Sequence, residues 1–389
     1  MDEFEKVYKK LNPEQKLAVD TVDGPMLVIA GPGTGKTQLL SARVAQILRT
    51  TDTLPQNILC LTFTENGATN MRERLSSFIG QAAYDVNIGT YHAFGGDIIR
   101  RYNQYFDEDL RDPADTLKKH QIVEAIVSSL SYQDPLKQTR HHIKDLLATI
   151  SEMKRGLLTA EDLRTIAHEN NVFIEAINPR LADIFASFTS MRGKYQTIRT
   201  YFANVFEELK ELEPAKPVSA TYGSLANCAR LSLELALLEA DAANTTKPLT
   251  AWKDSWLSKD PNNNFVIGAA LENQRLVSLA SVLEAYEAAL RAEGLYDFDD
   301  MILRAIDAMK NHDDLRFTLQ EQYQYILLDE YQDTNRAQAE LVYLLTNNPA
   351  SEGRPNVMAV GDDDQAIYAF QGAQYSNMLE FFKNYTGTR

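Results

Sequence analysis

Eight consecutive residues, Ala30-Gly31-Pro32-Gly33-Thr34-Gly35-Lys36-Thr37, have the types and spacing needed to hold a chain of phosphates. The glycines let the backbone turn tightly, so that successive N–H groups converge on phosphate oxygens. In that pattern Lys36 reaches the terminal phosphates and the Thr37 hydroxyl ligates Mg²⁺. The strict pattern has glycine where Ala30 stands. A second reactive pair, Asp329-Glu330, closes the apolar run Tyr325-Ile326-Leu327-Leu328. An aspartate at a strand end shares the Mg²⁺ with the loop threonine, which makes Asp329 the second expected metal ligand. Glu330 would stand beside the outermost phosphate, where a carboxylate can orient and deprotonate an attacking water. A phosphate loop alone does not separate kinases, GTPases, transporter ATPases and helicases.

The loop needs a strand before it and a helix after it. Met26–Ala30 supplies an apolar run, and Gln38 onward reads as helix, so the N-terminal dipole of that helix adds to the phosphate site. Further apolar runs occur at Ile58–Phe63, Tyr325–Glu330 and Asn356–Asp362, with a weaker one at Val86–Gly89. Their length and composition predict strands buried on both faces, as in a parallel sheet, alternating with helices. From about residue 100 to 294 the strand signal disappears and apolar residues recur at helical spacing, with breaks near Pro214 and Pro217 and across residues 245–264. This pattern predicts an α/β domain built from residues 1–100 and 291–389, split by a helical insertion over 101–290.

The composition is that of an ordinary globular protein, 44% hydrophobic and 24% charged over 389 residues. The charged start MDEFEKVYKK is unlike a signal peptide, and Cys60 and Cys228 read as buried thiols, so a cytoplasmic setting without membrane contact is expected. The net charge of −15 argues against nonspecific coating of nucleic acid, which is driven by phosphate neutralisation. Any such contact has to come from a local groove.

Six segments, in order, resemble the boxes of the UvrD/Rep/PcrA-like superfamily 1 DNA helicases. Leu11-Asn12-Pro13-Glu14-Gln15-Lys16-Leu17-Ala18-Val19 is similar to the Q motif, and Leu61-Thr62-Phe63-Thr64 with Ala68, Met71, Arg72 and Leu75 to motif Ia. Gly89-Thr90-Tyr91-His92-Ala93-Phe94 resembles the GTFHSF-like box, and Asp297-Phe298-Asp299-Asp300-Met301 the short DFDDL box. Leu328–Asn335 is similar to the DEFQDTN box, and Val360–Ala373 resembles motif III. The resemblance implies a RecA-like P-loop NTPase fold, a parallel sheet with a large inserted all-helical domain of the accessory 1B kind. ATP and Mg²⁺ become the expected cofactors. Lys36, Asp329, Glu330 and Gln365 become the catalytic set, Gln365 sensing the γ phosphate. Gln15 is expected to read adenine, alongside the loop residues Ala30, Gly31, Pro32, Gly33, Thr34, Gly35, Lys36 and Thr37. Phe63, Tyr368 and Phe370 fall on positions whose rings stack on single-stranded bases, and Thr64, Thr90 and His92 on positions that hold the strand backbone.

This chain departs from the pattern at four places. Gln371 and Ala369 stand where motif III carries arginines, Gln38 replaces an arginine near the adenine, and Glu65-Asn66-Gly67 replaces Asn-Lys-Ala. The resemblance implies the ATP-binding half of a 3′→5′ helicase, acting on single-stranded DNA or a duplex with a 3′ tail. No sequence after Ala373 matches motifs IV to VI, so the partner expected is a second RecA-like domain, and weak hydrolysis is expected of this chain alone. A RecB- or AddA-like nuclease–helicase and a nucleotide-gated adaptor are the other readings; intact Lys36, Asp329 and Glu330 speak against the adaptor.

Overall fold

The computed structural model describes residues 3–31, 33–106, 113–138, 143–188, 190–212, 224–362 and 381–389. Among them the strands are β1 (Met26–Ile29), β2 (Ile58–Thr62), β3 (Asn87–Thr90), β4 (Leu257–Lys259), β5 (Phe265–Ile267), β6 (Tyr325–Leu328) and β7 (Val357–Gly361). Five of them form one sheet in the order β1-β7-β6-β2-β3, and every pairing in it is parallel.

Alternation along each strand explains why the runs are apolar throughout. Leu59, Leu61, Ile326, Leu328, Val357 and Ala359 enter one core, with Tyr91, Phe94 and Ile302. Ile58, Cys60, Tyr325, Leu327, Met358 and Val360 enter the other, with Leu39, Leu40 and Met71. Successive side chains point to opposite faces, so a strand covered on both sides must be apolar at every position. This is the doubly covered sheet of a RecA-like α/β fold.

The chain divides into two compact units. The first comprises Met1–Asp115, Thr149–Leu157 and Leu290–Arg389, and holds the parallel sheet. The second comprises Thr116–Ala148 and Leu158–Ala289. Its core joins Ile177 and Leu181 of the helix Ala160–Ile184, Phe202, Val205 and Leu209 of Tyr195–Glu211, and Ala229 and Leu233 of Leu225–Ala243. No helix among the described residues is long and apolar enough to cross a membrane.

Two expectations need correction in the second unit. It is not purely helical, because β4 and β5 pair as an antiparallel hairpin. The span 245–264, read as a helix break, instead holds the helix Lys247–Trp256, strand β4 and, only at its end, the hairpin turn, where the Asn264 amide donates to Asp260 Oδ1 at 2.7 Å and Asn263 takes a left-handed φ of 66° that asparagine tolerates. Cys228 is exposed rather than buried. The buried stripe of its helix runs through Ala226, Ala229, Leu233, Ala236 and Ala240, and Cys228 falls outside it. That helix carries more apolar residues than its buried face uses, so composition could not say which side Cys228 takes.

Candidate active site

The sheet order brings four of the segments singled out in the sequence to one rim, at the carboxyl ends of the strands. Ligands of open α/β sheets bind there. The phosphate loop leaves β1, and its first residue is tied to the sheet by the Ala30 amide donating to Gly361 O at 2.9 Å. Gly33 and Gly35 take left-handed φ values of 72° and 85°, which side chains resist, and Gly35 caps the helix Lys36–Thr50. The Thr34 hydroxyl closes the turn by donating to Gly31 O at 2.8 Å. Gln15 is placed twice over. Its side chain completes a capping box with Asn12, and its amide nitrogen donates to Thr34 O at 3.1 Å.

The acids follow β6, two strands away from β1. The Thr37 hydroxyl donates to Asp329 Oδ2 at 3.3 Å, and the Lys36 ammonium lies 2.8 Å from Glu330 Oε2. Asp329 is buried, and burial together with the neighbouring Glu330 pushes its carboxyl up to about 6. Glu330 holds a left-handed φ of 49°, an uncommon conformation for this residue. Gln332, which sequence reasoning does not single out, uses both ends of its amide. It donates to Glu330 Oε2 at 2.7 Å and accepts from the Asp362 amide at 3.0 Å, joining the acid to the end of β7.

Beyond β6 the rim continues over β2 and β3, whose last residues Thr62 and Thr90 are in register. Half-buried Phe63 follows β2. The Thr64 hydroxyl accepts from the Gly67 amide at 3.0 Å and caps the next helix. Thr90 is buried; its hydroxyl donates to Glu65 Oε1 at 2.9 Å and caps the helix Tyr91–Arg101. The His92 ring lies stacked on Phe298, centroids 3.9 Å apart at 20°, and its Nε2 is 4.0 Å from Asp299 Oδ1. Phe298 remains half exposed on its other side.

Residues 11–386 match the family model described as the UvrD/REP helicase N-terminal domain. The chain belongs to that family. DNA helicase II of Rickettsia typhi is 30% identical over 97% of this chain and 41% of its own length. The ATP-dependent DNA helicase PcrA of Staphylococcus epidermidis is 27% identical over 97% of this chain and 36% of its own length. The chain thus spans about two fifths of the length of the curated relatives it matches.

Within this UvrD/REP-type domain the structure gathers Gln15, Lys36, Thr37, Asp329 and Glu330 at one end of the rim, and Phe63, Thr64, Thr90, His92 and Phe298 at the other. Pro32, Gln365, Tyr368 and Phe370 lie outside the described residues. Sequence reasoning misses Gln332 and the residues behind Phe298, namely Ser151, Lys154 and Arg155, which contact the acids of the DFDD box. A signal for Gln332 exists, since it lies inside the acidic box. No local pattern marks the other three, because their partners are more than 140 positions away.

Proposed function

We propose that the first unit is the ATP-binding RecA-like half of a DNA helicase that moves 3′→5′ on single-stranded DNA, and that the second is its accessory insertion. The observation that carries this reading is the convergence of Lys36, Thr37, Asp329 and Glu330, brought from β1 and β6, on a rim that also carries half-buried Phe63 and exposed Phe298.

Lys36 pairs directly with Glu330. A triphosphate in the loop competes for Lys36, and the released Glu330 then becomes free to accept a proton from water attacking the γ phosphate. Gln332 holds the carboxylate from one side and so limits where it goes. Thr37 and Asp329 suit Mg²⁺: they are oxygen ligands already in contact, and the buried carboxylate lacks the countercharge a cation brings. When bound, the ion offsets charge developing on the phosphate oxygens. The Gln15 amide reaches the loop at Thr34, from where it reads the adenine edge by exchanging a protein partner for a base. The partner completing the site is a second RecA-like domain, and the substrate is single-stranded DNA or a duplex with a 3′ tail. Stacking on Phe63 and Phe298, the latter backed by the His92 ring, grips bases without regard to sequence, as a translocating motor requires.

The test is titration of a fluorescent ATP analogue into this chain with and without Mg²⁺. Lys36→Ala is expected to weaken binding at least about tenfold, the usual effect of removing one charge-assisted hydrogen bond. Glu330→Gln is expected to retain binding. Equal affinity for wild type and Lys36→Ala would remove the loop from the nucleotide site.

A further inference from the structure

The DFDD box is held from behind by a single helical turn. At the C-terminal end of the helix Ile143–Arg155, Ser151 and Arg155 stand four residues apart and share one face. Both reach Asp299: the Ser151 hydroxyl donates to Oδ2, and Arg155 Nε donates to Oδ1 at 3.0 Å. Between them Lys154, only 2% exposed, places its ammonium 2.8 Å from Asp297 Oδ2 and 2.7 Å from Asp300 Oδ1. Asp297 and Asp300 also cap each other, the Asp297 amide donating to Asp300 Oδ2 at 2.9 Å and the Asp300 amide to Asp297 Oδ1 at 3.0 Å. The backbone that carries Phe298 is therefore pinned on both sides.

Asp299 faces two ways. Burial opposes its charge, but His92, Arg155 and Ser151 outweigh burial and hold its carboxyl down to about 2. Its Oδ1 accepts from Arg155 Nε and lies 4.0 Å from His92 Nε2, an electrostatic contact longer than a hydrogen bond, and the His92 ring stacks on the exposed Phe298. One carboxylate thus transmits the placement of Ser151 and Arg155 to the two rings.

We propose that Arg155 and Ser151 are positioning residues for the His92–Phe298 ring pair, acting through Asp299 to fix the stacked geometry in which that pair receives a nucleic-acid base. Arg155 and Ser151 do not themselves touch the strand. The proposal rests on reading this face as a single-strand surface, so one arm of its test is independent of DNA.

In that arm, the chain's six histidines are labelled with ¹³C and the His92 ring signal is assigned by its loss in His92→Gln. Arg155→Ala is expected to shift that signal, because the ring current of Phe298 depends on the stacking. The second arm titrates a labelled oligo(dT), with affinity for a fluorescent ATP analogue as the folding control. Arg155→Ala is expected to weaken oligo(dT) binding about fivefold, within the range for one base–aromatic stack, and Arg155→Lys to recover part of the loss. The double variant Arg155→Ala/Phe298→Ala is expected to bind no more weakly than Phe298→Ala alone, since both act on one contact.

An unmoved His92 signal overturns the proposal, and so do losses that multiply in the double variant, which would make Arg155 an independent contact. If Phe298→Ala and His92→Gln leave oligo(dT) binding intact while the His92 signal still shifts in Arg155→Ala, the single-strand reading fails and the positioning stands. Should Arg155→Ala not fold, Ser151→Ala removes a bond to the same carboxylate and carries the same outcomes.

Discussion

Asp329 carries a charge that its surroundings in the fold accommodate poorly. It is 2% exposed, its carboxyl is pushed up to about 6 by burial and by Glu330, and the Thr37 hydroxyl relieves this only in part. A carboxyl whose folded value lies above its unfolded one binds its proton more tightly when folded. Its contribution to stability is then greatest in acid and is lost as pH rises from about 4 through 6. Asp329→Asn removes the charge while keeping an acceptor for the Glu330 amide. The variant is expected to match wild type in thermal midpoint near pH 4 and to exceed it at pH 7. The difference corresponds to roughly 1–3 kcal/mol, a few degrees for a unit of this size. A gap that does not widen between those pH values would show that the charge is well compensated. The site, on this account, gives up stability for a ligand it is built to bind.

At the scale of elements, the question is what lets the helix Tyr91–Arg101 sit so close to the DFDD box. A Cβ added to Gly95 would lie 2.5 Å from Met301 O, a backbone atom with nowhere to move. Glycine inside a helix normally costs about 0.5–1 kcal/mol relative to alanine, so Gly→Ala at an open position stabilises. Here the sign is expected to reverse. Gly95→Ala should destabilise by about 1–3 kcal/mol, the usual cost of overpacking, and should weaken oligo(dT) binding by displacing His92 from Phe298. A rise in midpoint would mean that the two backbones are not in contact. The sheet strands and the helix after the phosphate loop were legible in the sequence, because their patterns are local: apolar throughout for strands covered on both faces, and period 3.6 for helices. The phosphate loop and the acids were legible for the same reason, each being a short contiguous run. Gly95, Lys154 and Arg155 were not, because what gives them meaning is a neighbour far along the chain. The β4–β5 hairpin was obscured differently, since three-residue strands are too short to show alternation.

Across the whole molecule, the order β1-β7-β6-β2-β3 sets the nucleotide residues and the ring-bearing face along a single rim, so the end of β6 borders both. A net charge of −15 leaves little general attraction for DNA, and Glu65 stands within the segment where the resembled family carries a lysine. Glu65 moreover takes the Thr90 hydroxyl, which fixes that group inside the protein instead of offering it to a phosphate. On the proposed single-strand reading, binding comes mainly from stacking, which salt barely screens, with few phosphate contacts, which salt weakens strongly. For single strands the logarithm of affinity falls with the logarithm of salt at about 0.7 per phosphate neutralised. With about one to three such contacts, oligo(dT) binding to this chain should show a slope no steeper than about −2, measured by anisotropy between about 50 and 200 mM salt. Phe298→Ala should lower the affinity across that range without changing the slope, because it removes a ring and no charge. A slope of about −4 or steeper would instead mean that a cluster of cations carries the grip, and that the rings on this rim are secondary.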